Sequence, residues 1–182
     1  MQATVEAPVR VFYALVPPPA MQSVLGDLAR EVARRARGRP VPAGNIHLTL
    51  AFIGAWPSAR LQLLIGIGEA LAGEAMRVTL DTQGGFRRAG VAWIGPSRPP
   101  PALGALATAL TGALTGAGVA QEERPFHPHL TLARKCRAAH AQAAVGPFEW
   151  DVDAVVLMRS DTRAEGARYE RLAQWPLARG RA

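Results

Sequence analysis

Cysteine and lysine each occur once, at Cys136 and Lys135, in a chain of 182 residues. A lone cysteine closes no internal disulfide and has no second thiol for a cysteine-rich metal site. Long apolar runs are missing too. No stretch approaches the roughly 20 residues that cross a bilayer, and residues 1–10 hold Glu6 and Pro8 where a leader would be apolar. The chain therefore reads as cytoplasmic, with no membrane partner. Glycine-rich phosphate loops of the Walker or dinucleotide type are also absent, because the glycine clusters lack the required spacing. Charged residues make up only 19%, while a hydrophobic fraction of 49% is ample for one globular core. Composition excludes a disordered or membrane-spanning chain.

Basic residues outnumber acidic ones 21 to 14, giving a net charge of +7. That balance favours an anionic partner, nucleic acid above all. Nearly all of the positive charge is arginine in an Ala- and Gly-rich chain, a pattern that coding bias also produces. Charge alone supports a phosphate ligand without establishing it.

The informative feature is a repeat. Asn45-Ile46-His47-Leu48-Thr49-Leu50-Ala51-Phe52 returns as His127-Pro128-His129-Leu130-Thr131-Leu132-Ala133-Arg134, so His-Leu-Thr-Leu occurs twice in a chain with four histidines. In a β-strand this alternation puts His and Thr on one face and the two Leu on the other. The Leu pair reads as core and the His and Thr as the lining of a cleft. His47 and His129 are 129 − 47 = 82 residues apart, near half the chain, which suggests two similar lobes presenting one strand each to a shared groove. Two imidazoles supply an acid and a base, and two hydroxyls can hydrogen-bond anionic oxygens. In-line displacement at phosphorus needs that set, with base and acid on opposite sides of the phosphate. An arginine fork would help to hold developing charge, and Arg134 ends the second motif.

In chain order, residues 9–16 read as a strand stopped by Pro17-Pro18-Pro19. Met21, Val24, Leu25, Leu28 and Val32 predict a helix to about residue 37. Its end carries Arg30, Arg34, Arg35, Arg37 and Arg39, which suit the negative pole of a helix dipole and would also suit an RNA backbone. Leu61, Leu64, Ile65, Gly68 and Leu71 predict a second helix over 58–73 with Ser58 as N-cap. Residues 76–82 read as a strand and 86–95 as a turn and a further strand. The proline-rich segment 95–103 reads as a joint between halves. A third helix follows on Leu103, Leu106, Ala107, Leu110 and Leu114, stopping near Gly116-Ala117-Gly118. Residues 148–158 and 169–177 read as strands joined by the polar loop 160–168.

Other residues compete for roles. His127 shares strand parity with His129, so a His-Pro-His metal site is conceivable, but no third ligand is evident. His140 reads as an exposed residue, Cys136 as a strand-end residue with a nucleophile role as the alternative, and Phe12, Tyr13, Phe52 and Trp93 as core aromatics able in principle to stack a base.

The double motif resembles the two-histidine phosphoesterases, and within them the RNA 2',3'-cyclic phosphodiesterases of the 2'-5' RNA ligase family. Val11-Phe12-Tyr13-Ala14-Leu15, Val91-Ala92-Trp93-Ile94-Gly95 and Arg168-Tyr169-Glu170-Arg171-Leu172 extend the likeness over nearly the whole chain. The resemblance implies a single α+β domain over 1–182, a bilobal pseudo-twofold fold of two antiparallel sheets backed by helices with the cleft between them. It implies an enzyme using neither metal nor cofactor that opens a terminal 2',3'-cyclic phosphate on RNA to a 2'-phosphate. By that resemblance His47 is the proton donor to the leaving 3'-oxygen, His129 the base that activates water, and Thr49, Thr131 and Arg134 hold the phosphate. The expected partner is an RNA or nucleotide end, met by a monomer. Two alternatives stay open: 2'-5' ligation of cyclic-phosphate and 5'-hydroxyl ends, with an RNA hydroxyl replacing water, and a nucleotide- or RNA-binding module without turnover.

Overall fold

The computed structural model describes residues 7–121, 124–138, 140–163 and 166–179. Most of the segment read for a leader lies outside them. The first strand, β1 (Val9–Leu15), leads into helix α1 (Pro19–Arg35), a short strand β2 (Arg39–Pro40) and the first motif strand β3 (Leu48–Trp56). Helix α2 (Leu61–Ala70), β4 (Met76–Phe86), β5 (Val91–Gly95) and helix α3 (Pro101–Gly116) follow. The second motif strand is β6 (Leu130–Arg134), and β7 (Ala143–Val152), β8 (Ala154–Arg163) and β9 (Gly166–Pro176) complete the described chain.

These nine strands form one antiparallel sheet ordered β7-β4-β5-β6-β3-β1-β8-β9, with β2 beside β6. The expected pair of separate sheets is therefore one hydrogen-bonded sheet. Its narrowest join is between the motif strands, where Leu48 opposite Leu130 is the one paired position. Beyond it the strands part, and β2 takes the vacated edge of β6 with Arg39 opposite Arg134 and Pro40 opposite Ala133.

A strand, a proline run, a helix and a motif strand occur in that order twice. Pro17-Pro18-Pro19 opens α1 and Pro99-Pro100-Pro101 opens α3, each with proline in the first helical turn, where the missing N–H would have had no partner anyway. The offset is 101 − 19 = 82, the same as between the histidines. The segment 95–103 is thus the counterpart of the first proline run rather than a joint between halves. Each helix packs across the seam: α1 lies against β6 and α3 against β3. Leu25, Ala29, Val32 and Ala33 of α1 and Leu103, Leu106, Ala107, Leu110 and Leu114 of α3 are buried, so both helices cover the face to which Leu48 and Leu130 point. At about 1.5–3 kcal/mol per fully buried large apolar side chain, this face fixes the register of the motif strands.

Three local expectations change. Val24 is exposed because the buried stripe of α1 is rotated toward Leu25 and Ala29. Ser58 does not cap α2: a short 3-10 turn, Ser58–Arg60, precedes the helix and no side chain caps it. The span 148–158 is broken at Asp153 into the end of β7 and the start of β8, and β8 runs on to Arg163 in a hairpin with β9. Where α2 meets β9, a Cβ at Gly68 would lie 2.3 Å from the Trp175 ring, so only glycine permits that packing.

Candidate active site

Leu48 and Leu130 are fully buried, and they set the geometry of everything around them. In an antiparallel pair, one step along one strand is one step back along the other. Leu48 opposite Leu130 therefore puts His47 across from Thr131 and Thr49 across from His129. All four point away from the core by strand alternation, and all four are half-buried. The imidazoles sit at opposite corners of this square. Diagonal neighbours on a sheet lie about 7–8 Å apart, room for one tetrahedral group with an imidazole on either side.

Strict alternation would send Arg134 to the core face. Opposite β5, however, the register steps from Trp93–Thr131 to Ala92–Ala133, which leaves Leu132 as an extra residue. Leu132 and Ala133 are both fully buried, and alternation resumes one residue late, returning Arg134 to the face of Thr131. The first motif does the same: opposite β1 the register steps from Thr49 to Ala51 across Leu50, and both Leu50 and Ala51 are buried. The next residue, Phe52, emerges 45% exposed, where the second motif has Arg134. The Arg10 guanidinium lies 5.5 Å from the Phe52 ring centroid. Phe52 is therefore no core aromatic.

Each imidazole is oriented from behind by a backbone carbonyl two residues upstream. His47 Nδ1 donates to Asn45 O at 2.7 Å and His129 Nδ1 to His127 O at 2.7 Å, which leaves both Nε2 atoms facing the cleft. His47 Nε2 also meets Thr49 Oγ1 at 3.1 Å. With His47 neutral, the hydroxyl donates to the ring nitrogen. Asn45 is itself tied down by its side-chain N–H to Ala167 O at 2.7 Å. The His47 ring lies 4.8 Å from that of Phe12 and 5.1 Å from that of Tyr169, and the His129 ring 5.0 Å from that of Phe86. Behind His129, a Cβ at Gly95 would lie 2.6 Å from Pro128 O, so glycine lets this segment approach β5.

These surroundings disfavour imidazolium. Burial pushes the His47 pKa down to about 4, and the positive charges of Arg134 and His129 add to the effect, while the carbonyl of Asn45 works against it. His129 is lowered as well, by burial first and then by His127 and Arg134, against the carbonyl of His127. Arg134 thus acts on both rings.

The remaining candidates fall elsewhere. His127 is exposed, with its ring 5.9 Å from that of His129. Among the described residues, no three His, Cys, Asp or Glu side chains converge as a metal site would require. Burial raises the Cys136 thiol above its ordinary pKa, the reverse of an activated nucleophile. His140 is half-buried in a loop rather than exposed. Tyr13 is buried in the core, whereas Phe12 and Trp93, although buried, stand beside the site, their ring centroids 4.8 Å from that of His47 and 6.4 Å from that of His129. Sequence reading missed Asn45, Phe86 and Tyr169 as parts of the site. Phe86 comes from a distant hairpin with no motif to mark it, Tyr169 lies in a segment of the family likeness that carries no assigned role, and Asn45 contributes a backbone carbonyl, for which no residue type is diagnostic.

The sequence pattern of the 2'-5' RNA ligase superfamily matches residues 16–164. The chain belongs to that superfamily. It is 34% identical to the RNA 2',3'-cyclic phosphodiesterase of Escherichia coli, over 93% of this chain and 97% of the relative. It is 30% identical to the enzyme of the same name from Thermus thermophilus, over 92% and 90%. The crystal structure of E. coli LigT complexed with 3'-AMP superposes with a TM-score of 0.86 at 32% identity, covering 93% of this chain and 98% of that one. The superfamily pattern spans both motifs, so the match does not rest on one half of the chain.

Proposed function

We propose that this protein is an RNA 2',3'-cyclic phosphodiesterase that hydrolyses a terminal cyclic phosphate to a 2'-phosphomonoester. The observation that carries the reading is the diagonal pair of carbonyl-anchored imidazoles with two threonines and Arg134 on the same face. Water attacks phosphorus, the bond from phosphorus to the 3'-oxygen breaks, and the trigonal bipyramid between them spans the diagonal. His129 takes the proton from water through Nε2. His47 delivers a proton from its Nε2 to the departing 3'-oxygen. Thr49 and Thr131 donate to the non-bridging oxygens, and Arg134 balances the charge gathering there. In this reading the two half-sheets on either side of the Leu48–Leu130 join act as the two lobes of a single domain.

A ring with a pKa near 4 carries no proton on Nε2 at neutral pH, so His47 has to be loaded by its substrate. The phosphate anion supplies the missing attraction, raising the proton affinity of both imidazoles as it enters. Phe52, exposed beside the cleft with Arg10 over its ring, is the surface we assign to a nucleobase of the RNA end. No step in this scheme calls for a metal ion, because the acid and base are both side chains. Such a substrate arises where RNA is cut, and the cytoplasm is the compartment we assign to the enzyme. Ligation differs only in that a 5'-hydroxyl replaces water, and the same residues would serve.

The test is incubation with an oligoribonucleotide ending in a 2',3'-cyclic phosphate, with and without EDTA, and identification of the product. A 2'-phosphate end formed equally in both is expected. A 3'-phosphate end, or turnover abolished by EDTA, overturns the mechanism, and unchanged substrate would leave a binding module.

A further inference from the structure

Three segments without a single acidic residue meet beside the candidate site. Residues 32–48, 82–98 and 124–148 contain no Asp or Glu, although the chain has 14. They are joined through the backbone. Arg39 of β2 pairs with Arg134 of β6, the N–H groups of Arg137 and Ala138 both reach Ala36 O at 3.0 Å, and Cys136 N–H reaches Gly90 O at 2.9 Å. The end of α1, the edge of β2, the exit of β6 and the turn between β4 and β5 are thus held together. Arg37, Arg39, Arg87, Arg88, Lys135 and Arg137 come to one end of three adjacent strands, β2, β6 and β5, spaced about 4.8 Å apart. All six are exposed, and Arg134 connects them to the cleft.

A helix dipole explains part of this charge. Arg34 and Arg35 occupy the last turn of α1, and Arg35 is paired with Glu31. The six residues named above lie beyond the helix, and among the described residues none of them forms an ion pair. Like charges gathered without counter-charges repel, so the arrangement calls for an external polyanion.

The backbone adds a second, independent observation. α1 closes with Gly38 N–H to Ala33 O at 2.9 Å and Arg37 N–H to Arg34 O at 3.3 Å, the bond pattern of a Schellman cap. The left-handed position of such a cap is usually glycine, and here it is Arg37 at φ 51°. Lys135, just past β6, is likewise left-handed at φ 55°. Two basic side chains therefore occupy conformations that glycine adopts more easily, at the rim of the same surface. In the segment that follows Lys135 lies a cleft of about 240 Å³ lined by Phe86, Arg87, Gly90, Cys136, Arg137 and His140.

We propose that this basic ridge carries the phosphodiester backbone of the RNA body, the nucleotides on the 5' side of the cyclic end, leading away from the cleft past Arg134. The inference rests on the cyclic-phosphodiesterase reading for which end of the strand enters the cleft. It makes the enzyme a reader of polynucleotide ends rather than of free cyclic nucleotides.

The experiment compares the full chain with the triple variant Arg37→Gly, Arg88→Gln, Arg137→Gln, in which glycine suits the left-handed position and none of the three belongs to the proposed catalytic machinery. A control variant, Arg60→Gln, Arg171→Gln, Arg179→Gln, lowers net charge equally elsewhere. kcat/KM is measured against salt on a ten-nucleotide RNA with a 2',3'-cyclic end and on a 2',3'-cyclic mononucleotide. Binding of the same RNA with a 3'-hydroxyl end is followed by anisotropy. Each single-strand phosphate contact contributes about 0.7 to the slope of log affinity on log salt. The ridge variant should lose about 2 from that slope and on the order of tenfold or more in oligonucleotide kcat/KM at low salt, with mononucleotide turnover unchanged and the control variant like wild type. An unaltered slope, or an equal loss in the control, overturns the ridge. Failure of the wild type to turn over either cyclic substrate would sink the phosphodiesterase reading instead, and the anisotropy arm would still decide the ridge.

Discussion

His47 lies opposite Thr131 and Thr49 opposite His129, because Leu48 and Leu130 are the one paired position between their strands. The threonines are thus not partners of equal kind. Thr49 Oγ1 is engaged by the His47 ring at 3.1 Å, so in the proposed mechanism its O–H turns from that nitrogen to the phosphate once His47 is protonated. Thr49→Val and Thr131→Val keep the shape of the strand and remove only the hydroxyl. Each should lower kcat by about 10²-fold, the lower part of the range for loss of one donor to a developing oxyanion, since both residues are half-solvated. Wild-type kcat and KM in both would mean that the phosphate is held by other groups.

Gly95 offers a test of position that leaves every polar group in place. A Cβ there would stand 2.6 Å from Pro128 O, so Gly95→Ala must move the backbone beside His129 or strain it. Overpacking of this kind costs about 1–3 kcal/mol, and a shift approaching 1 Å in a catalytic group costs on the order of 10²-fold in rate. Urea unfolding and kcat together check it. A variant with normal stability and rate would show that the segment bearing His129 tolerates displacement.

The histidines also govern stability against pH. The His47 pKa falls from about 6.5 in the unfolded chain to about 4 in the fold, and His129 and His140 shift in the same direction. Across that interval the unfolded state binds more protons, so stability declines as pH falls from about 6.5 to about 4. Asp81 and Asp151 have lowered values too, and the stability they contribute is lost in a separate window, below the ordinary carboxylate range. His47→Gln should flatten part of the decline between about pH 6.5 and about pH 4, measured as the change in urea midpoint. An identical decline in the variant would show that His47 is not the group responsible.

Much of this could be read from the residues, for definable reasons. Alternation in His-Leu-Thr-Leu, twice, is enough to put two histidines and two threonines on one face and two leucines in the core, and burial of Leu48 and Leu130 agrees. Helix α3 followed its apolar stripe, because burial of Leu103, Leu106, Ala107, Leu110 and Leu114 outweighs the interior Gly104 and Gly112. What could not be read were the features set by pairing. The bulges at Leu50 and Leu132 break alternation and return Phe52 and Arg134 to the face of Thr49 and Thr131; their cause is the register with β1 and β5, not anything within the motif. The proline run before α3 looked like a joint because its likeness to Pro17-Pro18-Pro19 has meaning only when both helices are seen crossing the seam. The basic residues after α1 and after β6 lie far apart in sequence, 134 − 39 = 95 positions between Arg39 and Arg134, and only the β2–β6 ladder makes them neighbours.

The most direct test of the central claim, that His47 and His129 are acid and base, is the pH dependence of kcat/KM in wild type, His47→Ala and His129→Ala. Wild type should give a bell whose centre lies on the acid side of about 6.5, since both rings are lowered in the free protein, while the profile of kcat is displaced upward by the bound phosphate. Both variants should lose about 10²–10⁴-fold and stay folded. In the residual rate His129→Ala should keep only the alkaline fall, which reports the proton on His47, and His47→Ala only the acid rise, which reports the bare nitrogen of His129. The opposite pairing of limbs would exchange the two roles, and near-wild-type rates or flat profiles would contradict two-histidine catalysis in this cleft.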